Sequence, residues 1–219
     1  MNLQENIQRI KSMMGLLVEE QQRSYESKPI ILIGPQGTGK STTAKALSKK
    51  LGIPLVTTDM SMIDKKYVNL CKDEPGVEVK IKEHPTLGTY NESNDEYVFC
   101  VLNKLMDEYG DKQIVLDVGG THAYASEKLS SDIIKLYSQS PNLFVFNVSG
   151  DEDETYEFLK KRRIGRGETI SPENEQKFRK IISDLNNFYR GTQTISVINS
   201  DGSDKTTNDL VDEITTKLT

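Results

Sequence analysis

Residues 34 to 41, Gly-Pro-Gln-Gly-Thr-Gly-Lys-Ser, satisfy the pattern G-x-x-x-x-G-K-[ST] between an apolar run and a helical stretch at 40–51. The chemistry such a loop supports is the cradling of a polyphosphate. Gly37 and Gly39 allow positive φ, which turns successive main-chain N–H groups into one concavity, and the helix behind them aims its positive end at the same spot. Lys40 adds a mobile charge for the outer phosphates, and the Ser41 hydroxyl can ligate a Mg²⁺ that bridges them. Gly34, Pro35, Gln36, Gly37, Thr38, Gly39, Lys40, Ser41 and Thr42 are the candidate nucleotide contacts.

Two further segments carry groups suited to phosphoryl chemistry. Asp59 closes the second apolar run, "IPLVTTD", where a carboxylate would orient an acceptor hydroxyl and take its proton. The same residue would serve as N-cap of a helix beginning at "DMSMIDKK". In "LKKRRIGRG" (159–167), Arg163 and Arg166 are candidates for a lid that neutralises charge on the transferring group, with Gly165 and Gly167 supplying mobility. The acidic start and basic end of 151–163 would equally complement the dipole of a surface helix. Guanine specificity is not expected: the nearest approach to N-K-x-D, "NKLMD" at 103–107, has its aspartate one place late. Nor is water the expected acceptor, because Asp117 is followed by Val118 where an ATP-hydrolysing site would carry glutamate.

The elements that must position these groups follow from the pattern of apolar runs. Short runs at 29–33, 53–57, 113–118, 142–148 and 194–198 are nearly continuously apolar, as strands covered on both faces require. Helical stretches at 40–51, 59–70, 93–109, 123–138, 152–163, 172–189 and 205–218 alternate with them. This is the order of an α/β fold with a parallel sheet, which binds ligands beyond the carboxyl ends of its strands. Residues 72–93, rich in charge and broken by Pro75, Gly76, Pro85 and Gly88, read as an irregular insertion or flap. Residues 3–20 space Leu3, Ile7, Ile10, Met14 and Leu17 as a narrow apolar stripe. That N-terminal helix would pack on its own domain, pair with a second copy or dock another protein.

The stretch "GPQGTGKSTTAKALSKKLGIPLVTTD" resembles the opening of shikimate kinase. The similarity continues through "VLDVGG" (115–120), "RRIGRG" (162–167) and "FYRGTQTISVINSDG" (188–202). It implies a P-loop NTPase three-layer sandwich, a five-stranded parallel sheet with helices on both faces. It also implies ATP, Mg²⁺ and transfer of the γ-phosphate to a hydroxyl of a small molecule. Residues 1–27 would then be a helical extension and 28–219 the kinase domain, with its lid near 160–171. By match, Asp59 would bind the acceptor, Gly119 and Gly120 would contact it through the backbone, and Gly202 would rest against adenine. Thr57 stands where the family has an aspartate, which leaves help to Mg²⁺ to Asp117. Cys100 and Leu185 stand where the family's substrate-gripping arginines are expected, so an acceptor other than shikimate is implied. His122 would make an ordinary polar contact near the acceptor, and Tyr189 and Arg190 either touch ligand or, for Tyr189, cover the core.

Composition narrows the alternatives. The 219 residues carry 28 Lys and Arg against 33 Asp and Glu, a net charge of −5 that disfavours a nucleic-acid coat or a membrane-surface protein. A nucleotide or polynucleotide kinase, or a non-catalytic ATP-binding module, remains as an alternative to the small-molecule kinase. The cysteines, Cys71 and Cys100, are too few for a disulfide scaffold or thiolate zinc site, and reduced thiols in a cytoplasmic protein are expected.

Overall fold

The computed structural model describes residues 28–58, 69–77, 79–84, 88–93, 95–119 and 127–218. The expected helices at 3–20 and 59–70, apart from 69–70, and the residues Asp59, Gly120 and His122 lie outside them. In chain order the elements are β1 (Ile30–Ile33), α1 (Lys40–Leu51), β2 (Leu55–Thr57), β3 (Val79–His84), β4 (Gly88–Ser93), α2 (Asp95–Tyr109) and β5 (Val115–Asp117). They continue with α3 (Glu127–Tyr137), β6 (Leu143–Asn147), α4 (Glu152–Gly165), α5 (Pro172–Phe188), β7 (Gln193–Ser196) and α6 (Thr207–Lys217).

The parallel sheet has five strands in the order β2-β5-β1-β6-β7. Side chains alternate across it as strand geometry demands. Ile31 and Ile33 join Leu116, Val145, Val101, Leu105, Ile133 and Leu185 on the face covered by α2, α3 and the last turns of α5. Ile30 and Leu32 join Phe144, Phe146, Leu47, Leu159 and Ile214 on the face covered by α1, α4 and α6. The three-layer arrangement is therefore that of a P-loop NTPase. The central strands are buried but for Asn147 at the end of β6, whereas the edges are not: Leu55 of β2 is 36% exposed, and only Ile195 of β7 is buried. The apolar runs there exceed what a single covered face needs.

Helix ends are set by local chemistry. Asp151 accepts from the N–H of Glu154 to start α4, Ser171 does the same for α5 ahead of Pro172, and Thr206 and Asp209 form a reciprocal box at α6. No helix among the described residues is long and apolar enough to cross a membrane.

Two expectations fail. The insertion is not irregular: β3 and β4 pair as an antiparallel hairpin from Val79↔Ser93 to His84↔Gly88. Its sequence, "VKIKEH" against "GTYNES", offers alternation but little apolar weight, which is why it passed as loop. The cysteines are not free thiols: Cys71 and Cys100 form a disulfide with Cα atoms 5.9 Å apart. The hairpin carries the chain out and back, so that the helical turn ending at Cys71 meets the first half of α2. Cys71 is fully buried in the core cluster. Closing a loop of 29 residues restricts the unfolded chain by about 3–4 kcal/mol, so a urea titration with a dithiol reductant should show a stability loss of that order.

Candidate active site

The phosphate loop leaves β1 under tight constraint. A Cβ on Gly34 would stand 2.8 Å from both the Cβ and the carbonyl oxygen of Phe146, so β6 excludes any side chain there. Gly39, at φ 83°, turns the chain into α1 as its N-cap, a conformation that costs other residues. Between them Thr38 is buried, and its hydroxyl donates to the Pro35 carbonyl at 2.9 Å, closing the loop on itself. Thr43 binds the Gly39 carbonyl through both its N–H and its hydroxyl, at 3.0 and 3.1 Å. Ser41 and Thr42 lie exposed in the first turn of α1.

Lys40 is buried, and its ammonium meets the carboxylate of Asp117, the last residue of β5, both side chains at most 10% exposed. Such a pair offsets the large cost of desolvating each charge only because both are present. The second strand, β2, is not paired with the phosphate-loop strand β1. Instead β5 lies between them, pairing with β1 through Leu32↔Asp117 and with β2 through Thr57↔Asp117. Asp117 is thus central to the rim, with the phosphate loop on one side and the end of β2 on the other. Beyond it, the Gly119 N–H donates to the Thr58 hydroxyl at 2.8 Å.

The basic helix reaches the loop through Arg162 and Arg166, of which Arg166 is a candidate from the sequence and Arg162 is not. Arg162 donates from Nη1 to the Gly37 carbonyl at 3.0 Å and pairs through Nη2 with Asp204 at 2.6 Å. Its guanidinium lies 4.6 Å from the Phe158 ring centre. Arg166 is the C-cap of α4, and its Nη2 lies 3.1 Å from where a Cβ of residue 37 would be. Arg163 points elsewhere, bonded to Glu168 at 2.7 Å and stacked on Phe178. Arg162 and Arg166 share one helical face at i, i+4, and that spacing was the signal available in the sequence.

Gly202 sits at φ 80° in a turn closed by its own N–H to the Asn199 carbonyl, 3.0 Å. The Ser203 hydroxyl and N–H both bind the Asp201 carboxylate and hold it below the usual carboxylate range. This turn and Arg162 are joined through Asp204, so the 199–205 turn, α4 and the phosphate loop are linked by one side chain. Tyr189 is 3% exposed and belongs to the core, where burial pushes its hydroxyl well above the ordinary phenol range. Leu185 beside it is also buried. Among the described residues no three His, Cys, Asp or Glu side chains form a ready-made metal cluster.

Comparison with known proteins agrees with this architecture. The model of the ATPase family associated with various cellular activities (AAA) matches residues 30–76, the span of β1, the phosphate loop, α1 and β2. The tRNA dimethylallyltransferase of Mycoplasmoides gallisepticum (strain R(low / passage 15 / clone 2)) is 24% identical over 155 residues, 65% of this chain and 49% of that protein. The chain therefore spans about half the length of that curated relative. Among solved structures, shikimate kinase from Acinetobacter baumannii in complex with shikimate superposes with a TM-score of 0.53 at 16% identity, covering 89% of this chain and 94% of that one. Shikimate kinase from Aquifex aeolicus vf5 gives 0.51 at 16%, with 87% and 95% covered. YorR from Bacillus subtilis in complex with phosphorylated GDP gives 0.50 at 19%, with 86% and 94% covered. At these identities the likeness is one of fold, and it is the fold derived above.

Proposed function

We propose that the chain is an ATP- and Mg²⁺-dependent kinase that transfers the γ-phosphate to a hydroxyl of a small molecule other than shikimate. The observation that carries this reading is the glycine-rich loop with Arg162 bonded to its Gly37 carbonyl, Arg166 beside Gly37, and Lys40, the residue after Gly39, buried against Asp117. A triphosphate tail needs cations on both sides of its transferring group, and an enclosing basic helix also keeps water out.

The roles follow from position. The backbone of residues 34–39 cradles the phosphates, and Lys40 exchanges its hold on Asp117 for the outer phosphate oxygens. Ser41, exposed beside the loop, and Asp117 are oxygen donors of the kind a hard cation takes in ones and twos, completing its shell with phosphate and water. They would hold Mg²⁺, which when bound shields the charge between neighbouring phosphates. Asp59, next along the chain after Thr58, aligns the acceptor hydroxyl and takes its proton. Gly119 and Gly120 complete the acceptor wall, and the 199–205 turn with Gly202 receives the adenine.

In the lid, Arg162 takes the role that the sequence suggests for Arg163. Loss of one charge-assisted hydrogen bond weakens binding by about tenfold or more. Arg162→Ala should accordingly raise the KM for ATP by about tenfold, whereas Arg163→Ala should leave it within about threefold, in steady-state kinetics with varied ATP.

A second reading takes nucleotides or nucleic acid as the acceptor, and the likeness to a relative named for tRNA modification favours it. Both readings are tested by measuring ADP release from purified protein against sugars, sugar acids, cyclic acids, nucleosides and oligonucleotides. The proposal expects release to rise with one class of small alcohol; the nucleic-acid reading expects oligonucleotides to do so. Release no higher with any acceptor than without one would overturn both.

A further inference from the structure

We infer that Thr58 is a positioning residue that sets the distance between the two walls of the acceptor site, an inference that rests on the proposed role of Asp59. The bonding at the end of β2 carries it. The Thr58 N–H donates to the Asp117 carbonyl at 3.0 Å, the last backbone rung of the β2–β5 ladder. In a parallel ladder the next rung would run from the Gly119 N–H to the Thr58 carbonyl. The Thr58 hydroxyl takes that bond instead, at 2.8 Å, with the residue fully buried.

A side chain has therefore replaced the main chain as acceptor at the point where β2 leaves the sheet. The substitution ties the residue before Asp59 to the residue before Gly120 without requiring the backbones to continue as paired strands. One fixed point thus immediately precedes, along the chain, both Asp59 and Gly120, the residues to which the proposed function gives the acceptor. The same residue touches Asp117, which holds Lys40, so the acceptor side and the phosphate side share a single anchor. A hydroxyl is needed at position 58 and a γ-methyl is not: valine preserves the shape and removes the acceptor, whereas serine keeps it.

The effect of losing this anchor is a misplacement of the acceptor and not a loss of nucleotide contacts. A displacement of about 1 Å at a reacting pair costs on the order of 10²-fold in rate. The test compares wild type, Thr58→Val, Thr58→Ser and Asp59→Asn, with the alcohol from the panel that wild type phosphorylates fastest. Mg·ADP affinity and the exchange of the Gly119 amide against deuterium are measured alongside. Thr58→Val is expected to lose about 10–10²-fold in kcat/KM for the alcohol, to expose the Gly119 amide to exchange and to bind Mg·ADP within about twofold of wild type. Thr58→Ser should restore both transfer and protection. Thr58→Val equal to wild type in kcat and acceptor KM, or Thr58→Ser as poor as Thr58→Val, would overturn the positioning role while leaving the kinase reading standing if Asp59→Asn is impaired. Wild type that phosphorylates no alcohol, or Asp59→Asn that equals it, would overturn the reading of the site itself, and this inference with it.

Discussion

Lys40→Ala is expected to lower phosphoryl transfer by about 10²–10³-fold or more, the scale set by removing one preorganised donor to a developing oxyanion. It is also expected to destabilise the free protein. Asp117 is 7% exposed and its ammonium partner would be gone, a change that costs on the order of 3–5 kcal/mol in buried pairs. The two effects separate in a double mutant. Adding Asp117→Asn to Lys40→Ala removes the stranded charge and should recover much of the melting temperature, yet it should restore no activity, because the proposed site then lacks both the lysine for the phosphates and the carboxylate for Mg²⁺. Thermal melts and turnover measured on wild type, Lys40→Ala, Asp117→Asn and the double mutant check this. Recovery of both together would mean that Lys40 serves the fold alone.

Asp59→Asn should lower turnover by about 10²–10⁴-fold, the usual worth of a positioned base, with ATP affinity unchanged. Asparagine keeps the size and the hydrogen-bonding oxygen but cannot accept the hydroxyl proton. Position 59 follows a residue that is fixed to β5 by its N–H and to the residue after Val118 by its hydroxyl. A helix cap would behave differently, since asparagine caps as well as aspartate. Steady-state kinetics therefore distinguish the base from the cap, and unchanged kcat would assign Asp59 to the cap.

The sequence made the phosphate loop and the central strands legible because each rests on a local rule. The short run Ile30 to Ile33, three of its four residues β-branched, reads as a strand covered on both faces and is one. The glycines of the loop sit where a side chain has no room or the backbone no other choice. What escaped depends on contacts distant in sequence. Whether Arg162 or Arg163 faces Gly37 is decided by the rotation of α4, fixed when Tyr156 and Leu159 bury against the sheet. The pairing of Cys71 with Cys100 required knowing that residues 79–93 fold back as a hairpin, which their polar composition concealed. The insertion of β5 between β1 and β2 is a choice of topology, and neighbouring runs along the chain do not reveal it.

The central claim, transfer from a cradled triphosphate to an alcohol, is tested most directly by following ATP labelled in its γ-phosphate in the presence of Mg²⁺ and the acceptor panel. The label should appear in an organic phosphate ester, with wild type and not with Lys40→Ala or Asp59→Asn. Label found only in inorganic phosphate, or retained in ATP with every acceptor, would contradict it.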